Sequence, residues 1–354
     1  MKLGLNLGYW GAGNDADNLA LAKEADTLGY SVVWAAEAYG SDVPTVLAWV
    51  GAQTERIDIG AAIMQIPARS PAMAAMTAAT LDTLSGGRFR MGLGVSGPQV
   101  SEGWHGVRFD KPLGRTREYV DIVRLALGRQ RVKYDGQHYT LPLPDGPGKA
   151  LTLTVRPVRD RIPVYLASVG PKNLELTGEI ADGWLSIFFA PSHAEDALGH
   201  LRTGRARRLG ADGGAALDGF DVVATVPTVI GDDVSACAAP VKNYAALYVG
   251  GMGSREKNFY NRLASDMGFA DEAKQVQDLY LSRDYAAAAA AVPEKFVDDT
   301  SLLGPVDRIA ERMAGFAEAG VTTLNIVPFA ETLEDRRRIL TSSLEALQAS
   351  GHAS

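Results

Sequence analysis

The sequence predicts an α/β fold, a closed (β/α)₈ barrel (TIM barrel) with insertions. Eight short aliphatic runs typical of β-strands occur along the 354 residues, and most are followed by a stretch with the apolar periodicity of a helix. Alternating strands and helices indicate a parallel sheet, and eight such units in succession favour a closed barrel over an open doubly wound sheet. Because barrels of this type reach such a length as one unit, we expect residues 1–354 to form a single domain.

The predicted elements follow each other in regular order. The strands are Lys2–Leu7, Ser31–Ala36, Ile57–Ile63, Arg88–Val95, Pro163–Ser168, Gly183–Phe188, Phe220–Ile230 and Thr322–Val327. The helices are Asn18–Leu28, Val43–Thr54, Pro71–Leu84, Leu113–Leu127, Pro171–Ile180 and His193–Leu209. Since the active site of such a barrel forms at the carboxyl ends of its strands, functional residues are expected just after each strand.

Two segments are longer than ordinary connections between barrel elements. Residues 130–161 contain the turn signal Asp135-Gly136, which predicts a hairpin or another excursion before the fifth strand. Residues 250–300 contain the alanine run Ala286–Ala291, which predicts a helix that ends before Pro293. Insertions of this kind either cover the pocket or decorate the surface, and the sequence leaves both possibilities open.

Composition and charge exclude several classes of function. The formal net charge of −7 and the isoelectric point near 5.4 argue against nucleic acid or an anionic membrane as a partner. Cys237 is the only cysteine, so a disulfide framework is excluded and burial as a small apolar residue is expected. The opening MKLGLNLGYWG is typical of a strand rather than of a signal peptide, and no stretch stays apolar for the roughly 18 residues of a membrane span. We expect a cytoplasmic protein that acts on a small molecule.

The segment Gly60–Gly106 is the first candidate for an active site. Its two strand-like runs end in small residues, which leave the backbone open to a flat or phosphorylated ligand. Gly92–Gly97 also has the spacing G-x-G-x-x-G of a dinucleotide-binding motif, but that motif requires a helix directly afterwards. Pro98 and a polar loop are predicted instead, so we reject a Rossmann-type site. Contact with another cofactor and simple close packing of the strand both remain open.

A second candidate is the run Tyr165–Asn173, which ends a strand and begins a helix with Pro171 at its first position. The free amides of the first turn, the positive end of the helix dipole and the Ser168 hydroxyl would suit a phosphate, and Lys172 would add charge. An ordinary capped helix start is the competing interpretation.

Two titratable residues lie in loops after predicted strands. Glu37 follows the second strand, where its carboxylate is catalytic, orients a ligand or forms a local salt bridge. His105 follows the fourth strand and is either an acid or base, because imidazole titrates near neutrality, or an ordinary exposed histidine. No histidine or cysteine pair has the spacing of metal ligands, so no metal is expected.

The whole pattern resembles the luciferase-like monooxygenase superfamily, and within it the oxidoreductases that use the deazaflavin coenzyme F420. The segments that carry this resemblance are MKLGLNLGYWG at the start, WAAEAYGSD from Trp34, the block from Gly60 that ends in LSGGRFRMGLGVSGPQVSEGWHG, LASVGPKNLELTGEIADGW from Leu166 and ALYVGGMG from Ala246. They span nearly the whole chain. The block around Ser96-Gly97-Pro98-Gln99 is the most specific of them.

The resemblance implies a barrel, usually in a homodimer, that binds the deazaflavin in its mouth. A non-prolyl cis peptide bond after the third strand is implied at Ala62-Ile63, next to Ala61, and supports the middle ring of the cofactor. Glu37 takes the place of an acidic residue near the polar edge of that ring. The other implied cofactor residues are Val95, Ser96 and Gln99 along the ring and Ser168, Val169 and Gly170 at a phosphate.

The function that the resemblance implies is hydride transfer between C5 of the deazaflavin and a small organic substrate. Related sugar-phosphate dehydrogenases carry an Asp-His pair where this chain has Glu37-Ala38, so their histidine base is missing here. Reduction of an activated double bond or an imine is therefore favoured over oxidation of an alcohol. Two alternatives remain open, a monooxygenase that uses reduced FMN and oxygen, and a deazaflavin carrier or sensor without catalysis.

Overall fold

Eight parallel strands close into a barrel in the computed structural model, which describes all residues except 12, 14, 210–216 and 254. Each strand pairs with the next along the chain, and the eighth pairs with the first. The predicted fold class is confirmed, and all eight predicted strands are present with small shifts at their ends. They are β1 (Lys2–Asn6), β2 (Val32–Ala35), β3 (Asp58–Ala61), β4 (Phe89–Gly94), β5 (Val164–Ala167), β6 (Gly183–Ile187), β7 (Asp221–Ile230) and β8 (Thr323–Pro328).

Eight helices belong to the units of the barrel, and the six predicted ones are among them. They are α1 (Asp15–Leu28), α2 (Val43–Gly51), α3 (Pro71–Leu84), α4 (Pro112–Leu127), α5 (Pro171–Ile180), α6 (Ala194–Leu209), α7 (Val306–Glu318) and α8 (Leu333–Ala349). The helix α3 shows how local sequence sets a boundary. The Ser70 hydroxyl accepts a hydrogen bond from the Met73 amide at 3.1 Å, and Pro71 occupies the first turn, where its missing N–H costs nothing.

The first insertion is a short hairpin on the outside of the barrel. Tyr134–Asp135 pairs with Thr140–Leu141 in an antiparallel ladder, as the turn signal predicts. Glu118 of α4 fixes the turn, because its carboxylate accepts hydrogen bonds from three successive backbone amides at 2.8 to 3.0 Å. Together these bonds hold the pKa of Glu118 below its ordinary value against the opposing effect of burial. This insertion therefore lies against a peripheral helix.

The second insertion is helical and reaches the mouth of the barrel. Its elements are the helices Val234–Ala246, Phe259–Ala264, Ala270–Leu281, Tyr285–Ala291 and Glu294–Asp299 and the π-helical turns Leu247–Gly251 and Ser265–Phe269. The alanine run forms a helix that ends before Pro293, as predicted. The insertion has its own hydrophobic cluster, which includes the buried Cys237 and encloses Phe188, the residue after β6. Among the described helices, none is both long and apolar enough to cross a bilayer.

The centre of the barrel is filled by Trp34 of β2, which is completely buried. Its ring packs edge-on against Tyr165 of β5, with ring centroids 5.3 Å apart. Trp34 faces Gly60 in the register of β2 and β3, and a Cβ atom on Gly60 would overlap the indole ring. The glycine is therefore needed for the tryptophan to occupy the barrel interior.

A partly buried polar network lies at the amino ends of the strands. Arg90 of β4 donates to Asp58, the first residue of β3, at 2.8 Å. It also lies 3.3 Å from Asp221, the first residue of β7, which accepts a hydrogen bond from the Tyr165 hydroxyl at 2.9 Å. Burial, followed by the charge of Asp221, raises the pKa of Tyr165 above its ordinary value, so its hydroxyl remains a donor. A ligand is therefore expected at the opposite end, where the active sites of such barrels form.

Replacement of Gly60 tests the packing of the barrel interior. We expect Gly60→Ala to lower the free energy of unfolding by about 1–3 kcal/mol, because the new methyl group forces Trp34 or the sheet to move. Thermal and urea unfolding would measure the loss.

The matched control is Gly199→Ala in the middle of α6, where a Cβ atom meets nothing within 4 Å. This change should leave stability equal or slightly higher, since alanine is the better helix former. Equal stability of both variants would contradict the role given to Gly60.

Candidate active site

Side chains from the loops after three neighbouring strands form one hydrogen-bonded network at the carboxyl end of the barrel. Gln65, after β3, donates from Nε2 to Ser96 Oγ, after β4, at 2.9 Å. Its Oε1 lies 2.9 Å from Nε2 of His105, and its backbone N–H donates to Glu37, after β2, at 2.8 Å. We call these four residues, Glu37, Gln65, Ser96 and His105, the Gln65 network. The structure thus brings together three residues that the sequence singles out and one, Gln65, that it does not.

Glu37 is a buried member of the network and the one whose side chain makes the most hydrogen bonds. Its carboxylate forms a two-point salt bridge with Arg69 and also accepts a hydrogen bond from the Val43 amide at 3.1 Å. Only 7% of the Glu37 side chain is exposed. Of the three roles open to Glu37 in the sequence, the local salt bridge is present, and it ties the loop after β2 to the loop after β3.

Arg69 is the partner that balances this buried charge. It also donates to Asp42 at 2.9 Å, and 14% of its side chain is exposed. Burial by itself would lower the pKa of Arg69, but the hydrogen bonds and charge of Glu37, followed by the charge of Asp42, raise it above its ordinary value. The guanidinium therefore remains a cation and pairs with the Glu37 carboxylate at two points.

The third strand ends at the cis peptide bond that the resemblance implies. The bond joins Ala62 and Ile63, and both residues are partly exposed at the mouth. Beyond it, Met64–Gln65 resumes pairing with β4, opposite Leu93 and Gly94. Ala61, in contrast, is completely buried in the barrel wall and does not reach the mouth, contrary to expectation.

The residues after β4 surround the network. Val95 and Ser96 are partly exposed, and Ser96 has a left-handed backbone (φ 60°), which is uncommon for a residue other than glycine. Gln99 is exposed and lies on a one-turn helix, Pro98–Ser101. The sequence predicts a polar loop at this point, so that expectation is wrong. One turn is nevertheless much shorter than the helix of a dinucleotide-binding motif.

His105 lies further along the same loop after β4. It is partly buried, whereas the neighbouring Trp104 is largely exposed. The imidazole is therefore not an ordinary exposed loop histidine, because Gln65 holds one ring nitrogen. Since the Gln65 amide donates to Ser96, its carbonyl oxygen is left to accept a hydrogen from His105, which favours the form protonated at Nε2.

The start of α5 provides an open helix end beside these loops. Gly170 is the N-cap residue, no side chain caps the helix, and a Cβ atom on Gly170 would meet nothing within 4 Å. Val169 and Gly170 are partly exposed. Pro171 has no N–H and the Asn173 amide donates to the Gly170 carbonyl, so the free space at Gly170 and the positive end of the helix dipole are the features that suit an anion here.

The side chains of Ser168 and Lys172 have partners within the protein beside this helix end. The Ser168 hydroxyl is buried and donates to Thr177, whose own hydroxyl donates to the Asn173 carbonyl. It therefore turns into the protein instead of meeting a phosphate. Lys172 is mostly exposed and pairs with Glu175 at 3.1 Å.

Gln65 and Arg69 are the residues that sequence reasoning missed. Both lie in the segment Gly60–Gly106, between the cis peptide bond and α3. The available signal is a polar and a charged side chain in the otherwise apolar stretch IMQIPAR, directly after a predicted strand. Among the described residues, no group of three or more His, Cys, Asp or Glu side chains is arranged to hold a metal.

A closed barrel with a polar network at the carboxyl ends of its strands is typical of barrel proteins that bind small molecules at that end. The model of the luciferase-like monooxygenase family matches residues 9–323 of the chain. The chain therefore belongs to the luciferase-like monooxygenase family.

Individual relatives agree with this assignment. A Mycobacterium tuberculosis protein, provisionally named a coenzyme F420-dependent oxidoreductase, is 45% identical over 329 residues, which cover 92% of this chain and 94% of that protein. A 5,10-methylenetetrahydromethanopterin reductase of Archaeoglobus fulgidus is 27% identical over 85% of this chain and 86% of its own length. Among solved structures, the coenzyme F420-dependent tetrahydromethanopterin reductase of Methanopyrus kandleri has the same fold, with a TM-score of 0.81 and 23% identity over 99% of both chains.

Substitution of Glu37 tests the structural role of its carboxylate. We expect Glu37→Gln to lower the free energy of unfolding by about 2–4 kcal/mol, because it leaves the buried Arg69 without its main partner. Unfolding experiments would measure this loss.

The control is Glu195→Gln, which removes an exposed carboxylate paired with Arg202 and should not change stability measurably. If Glu37→Gln were as stable as the parent protein, the carboxylate would not be the structural link described here.

Proposed function

We propose that the protein is a coenzyme F420-dependent oxidoreductase that transfers a hydride between C5 of the deazaflavin and a small organic substrate. The observation that carries the proposal is the convergence of the tips of β3, β4 and β5, which place a cis peptide bond, the Gln65 network and an open helix end around one mouth. The names of the relatives from Mycobacterium tuberculosis and Archaeoglobus fulgidus support the same class of redox enzyme.

The residues present fit such a cofactor. A flat tricyclic ring needs a wall without bulky polar groups, and Ala62, Ile63 and Val95 provide it at the mouth. An anionic tail needs a positive potential with room in front of it, and the uncapped start of α5 at Gly170 supplies both. When bound, the deazaflavin supplies the hydride chemistry, and the protein supplies position and exclusion of water.

The Gln65 network orients groups around that ring. The Glu37–Arg69 pair fixes the backbone of Gln65, and the Gln65 side chain in turn fixes Ser96 and His105. His105 holds or releases a proton at its ring nitrogens, and Glu37 acts as a positioning residue. Because Ala38 cannot act as a base, reduction of an activated double bond or an imine is favoured over oxidation of an alcohol.

Cofactor titrations test this proposal directly. We expect oxidised F420 to bind at micromolar concentrations and FMN to bind much more weakly. Gly170→Ala should weaken F420 binding at least about tenfold, because its methyl group enters the space proposed for the phosphate without clashing with the protein.

The phosphate-free deazaflavin chromophore is the matched ligand control. It should bind the parent protein and Gly170→Ala equally, and Gly199→Ala should behave as the parent with both ligands. Tight FMN binding with oxygen-dependent turnover would instead establish the flavin monooxygenase alternative. Binding of F420 without hydride exchange to any alcohol, enone or imine would support a carrier.

We further propose that the protein forms a homodimer through α2 and α3. These neighbouring helices carry four large apolar side chains that are half-exposed or more, Trp49, Met73, Met76 and Leu84. Met73, Met76 and Leu84 recur at spacings that place them along one side of α3. An exposed apolar patch of this kind is typical of a protein–protein interface.

Light scattering on a size-exclusion column tests the dimer. We expect the parent protein to elute as a dimer and Met76→Asp to shift it toward monomer, because a charge would be buried in the interface. The control Leu151→Asp alters a side chain of the first insertion that is 75% exposed, and it should not change the mass of the assembly. A monomeric parent protein would refute the proposal.

A further inference from the structure

Four tyrosines pack together on the side of the mouth formed by β6, β8 and β1. Tyr9 lies in the loop after β1, whereas Tyr244, Tyr248 and Tyr260 come from the second insertion. The ring centroids of Tyr244 and Tyr248 are 4.8 Å apart, and those of Tyr248 and Tyr260 are 5.0 Å apart. We call these four residues the tyrosine cluster. The Gln65 network does not use any of them.

The tyrosine cluster borders the loops that carry the Gln65 network. Tyr9 packs against Gly40, where a Cβ atom would lie 3.8 Å from the tyrosine, and Gly40 belongs to the same loop as Glu37. Tyr9 itself is 43% exposed at the carboxyl end of its strand. A molecule bound between the tips of β3 to β5 and this wall would therefore touch Tyr9 first.

A strained residue holds the cluster in place. Phe188, directly after β6, is buried with a left-handed backbone (φ 53°), which is unfavourable for a bulky side chain. Its ring contacts Tyr244, Tyr248 and Tyr260 with centroids 5.7 to 6.3 Å apart. Phe329, after β8, completes the wall against Tyr244 at 5.6 Å. Three strand ends and the insertion thus converge on one aromatic surface.

The tyrosine cluster is electrically neutral. Burial, followed by the charge of a neighbouring phenol, raises the pKa of Tyr248 and Tyr260 to about 12. Tyrosines elsewhere in the barrel differ, since Tyr119 faces Arg69 and Glu37 and Tyr165 faces Asp221 and Arg90. The phenols of the cluster are therefore protonated donors in an apolar setting, which disfavours an anionic substrate.

We propose that the tyrosine cluster is the substrate-binding wall, that the substrate is a neutral cyclic enone, and that its carbonyl oxygen accepts a hydrogen bond from Tyr9. A flat ring suits the packed aromatic side chains, and a carbonyl oxygen suits a phenol donor. This inference rests on the proposed deazaflavin function and adds the class of substrate to it.

The chemistry balances with Tyr9 as the acid. Addition of a hydride to the β-carbon of the enone breaks the C=C π bond, forms a C–H bond and moves an electron pair onto the carbonyl oxygen. Tyr9 donates its proton to that oxygen, water returns a proton to the phenolate, and the enol tautomerises to the saturated ketone. The two electrons come from the reduced deazaflavin, which is oxidised.

The experiment compares two substrates and three variants of the full-length protein. The substrates are 2-cyclohexenone and 4-oxocyclohex-2-ene-1-carboxylate, which share the enone and differ in charge. Turnover is followed by the absorbance of the deazaflavin as reduced F420 is consumed. The variants are Tyr9→Phe, Tyr248→Phe and the control Tyr285→Phe, which alters a half-exposed tyrosine outside the cluster. Titration of oxidised F420 into each preparation is the independent binding measurement.

We expect kcat/KM for the neutral enone to exceed that for the anion at least about tenfold. Tyr9→Phe should lower kcat for cyclohexenone at least about tenfold, as loss of a general acid does, without changing F420 binding. Tyr285→Phe should behave as the parent protein. If Tyr248→Phe does not fold, Tyr9→Phe at its half-exposed position still decides the question.

Three results would overturn the proposal. These are F420 binding without reduction of either enone, equal use of both enones, and full activity of Tyr9→Phe with cyclohexenone. Each leaves the cofactor assignment intact. Failure of the parent protein to bind F420 would overturn the proposed function itself, and this inference with it.

Discussion

The packing of Trp34 against Gly60 is the constraint on which the rest of the structure depends. An indole ring fills the barrel axis only because the facing position has no side chain. Below it, Arg90 pairs with both Asp58 and Asp221 at the amino end of the barrel. With the interior filled, a ligand is expected at the carboxyl ends of the strands, where the loops carry the Gln65 network.

Those loops form two sides of the mouth, a fixed side that carries the Gln65 network and an aromatic side that carries the tyrosine cluster. On the fixed side, the Glu37–Arg69 pair is shielded from water and therefore holds the loops after β2 and β3 more firmly than a surface pair would. The Gln65 side chain in turn holds Ser96 and His105 by hydrogen bonds. On the aromatic side, packing alone positions the tyrosine cluster. A bound ring would thus lie between polar groups that orient it and a neutral wall that excludes water.

The sequence predicted the barrel well because its strands and helices are local patterns with clear boundaries, such as Ser70-Pro71 at the start of α3. The site was predicted only in part. Gln65 meets Ser96 and His105 across 31 and 40 residues, and periodicity carries no information on such contacts. The Ser168 hydroxyl is buried because it bonds to Thr177, which lies nine residues later in the sequence. The tyrosine cluster depends on how the second insertion folds, and the insertion has no regular sequence pattern that would predict this. The cis bond at Ala62-Ile63 came from family resemblance, since the residues alone look like plain strand.

The strand β7 continues beyond the barrel, and its last three residues pair with Leu302–Gly304, where the second insertion ends. The insertion consequently leaves and re-enters the fold on adjacent hydrogen-bonded strands, which lie about 5 Å apart. Changing the length of a segment with such fixed, neighbouring ends costs little chain entropy. A change of length within the insertion is therefore expected to alter Tyr244, Tyr248 and Tyr260 of the tyrosine cluster while the barrel stays the same.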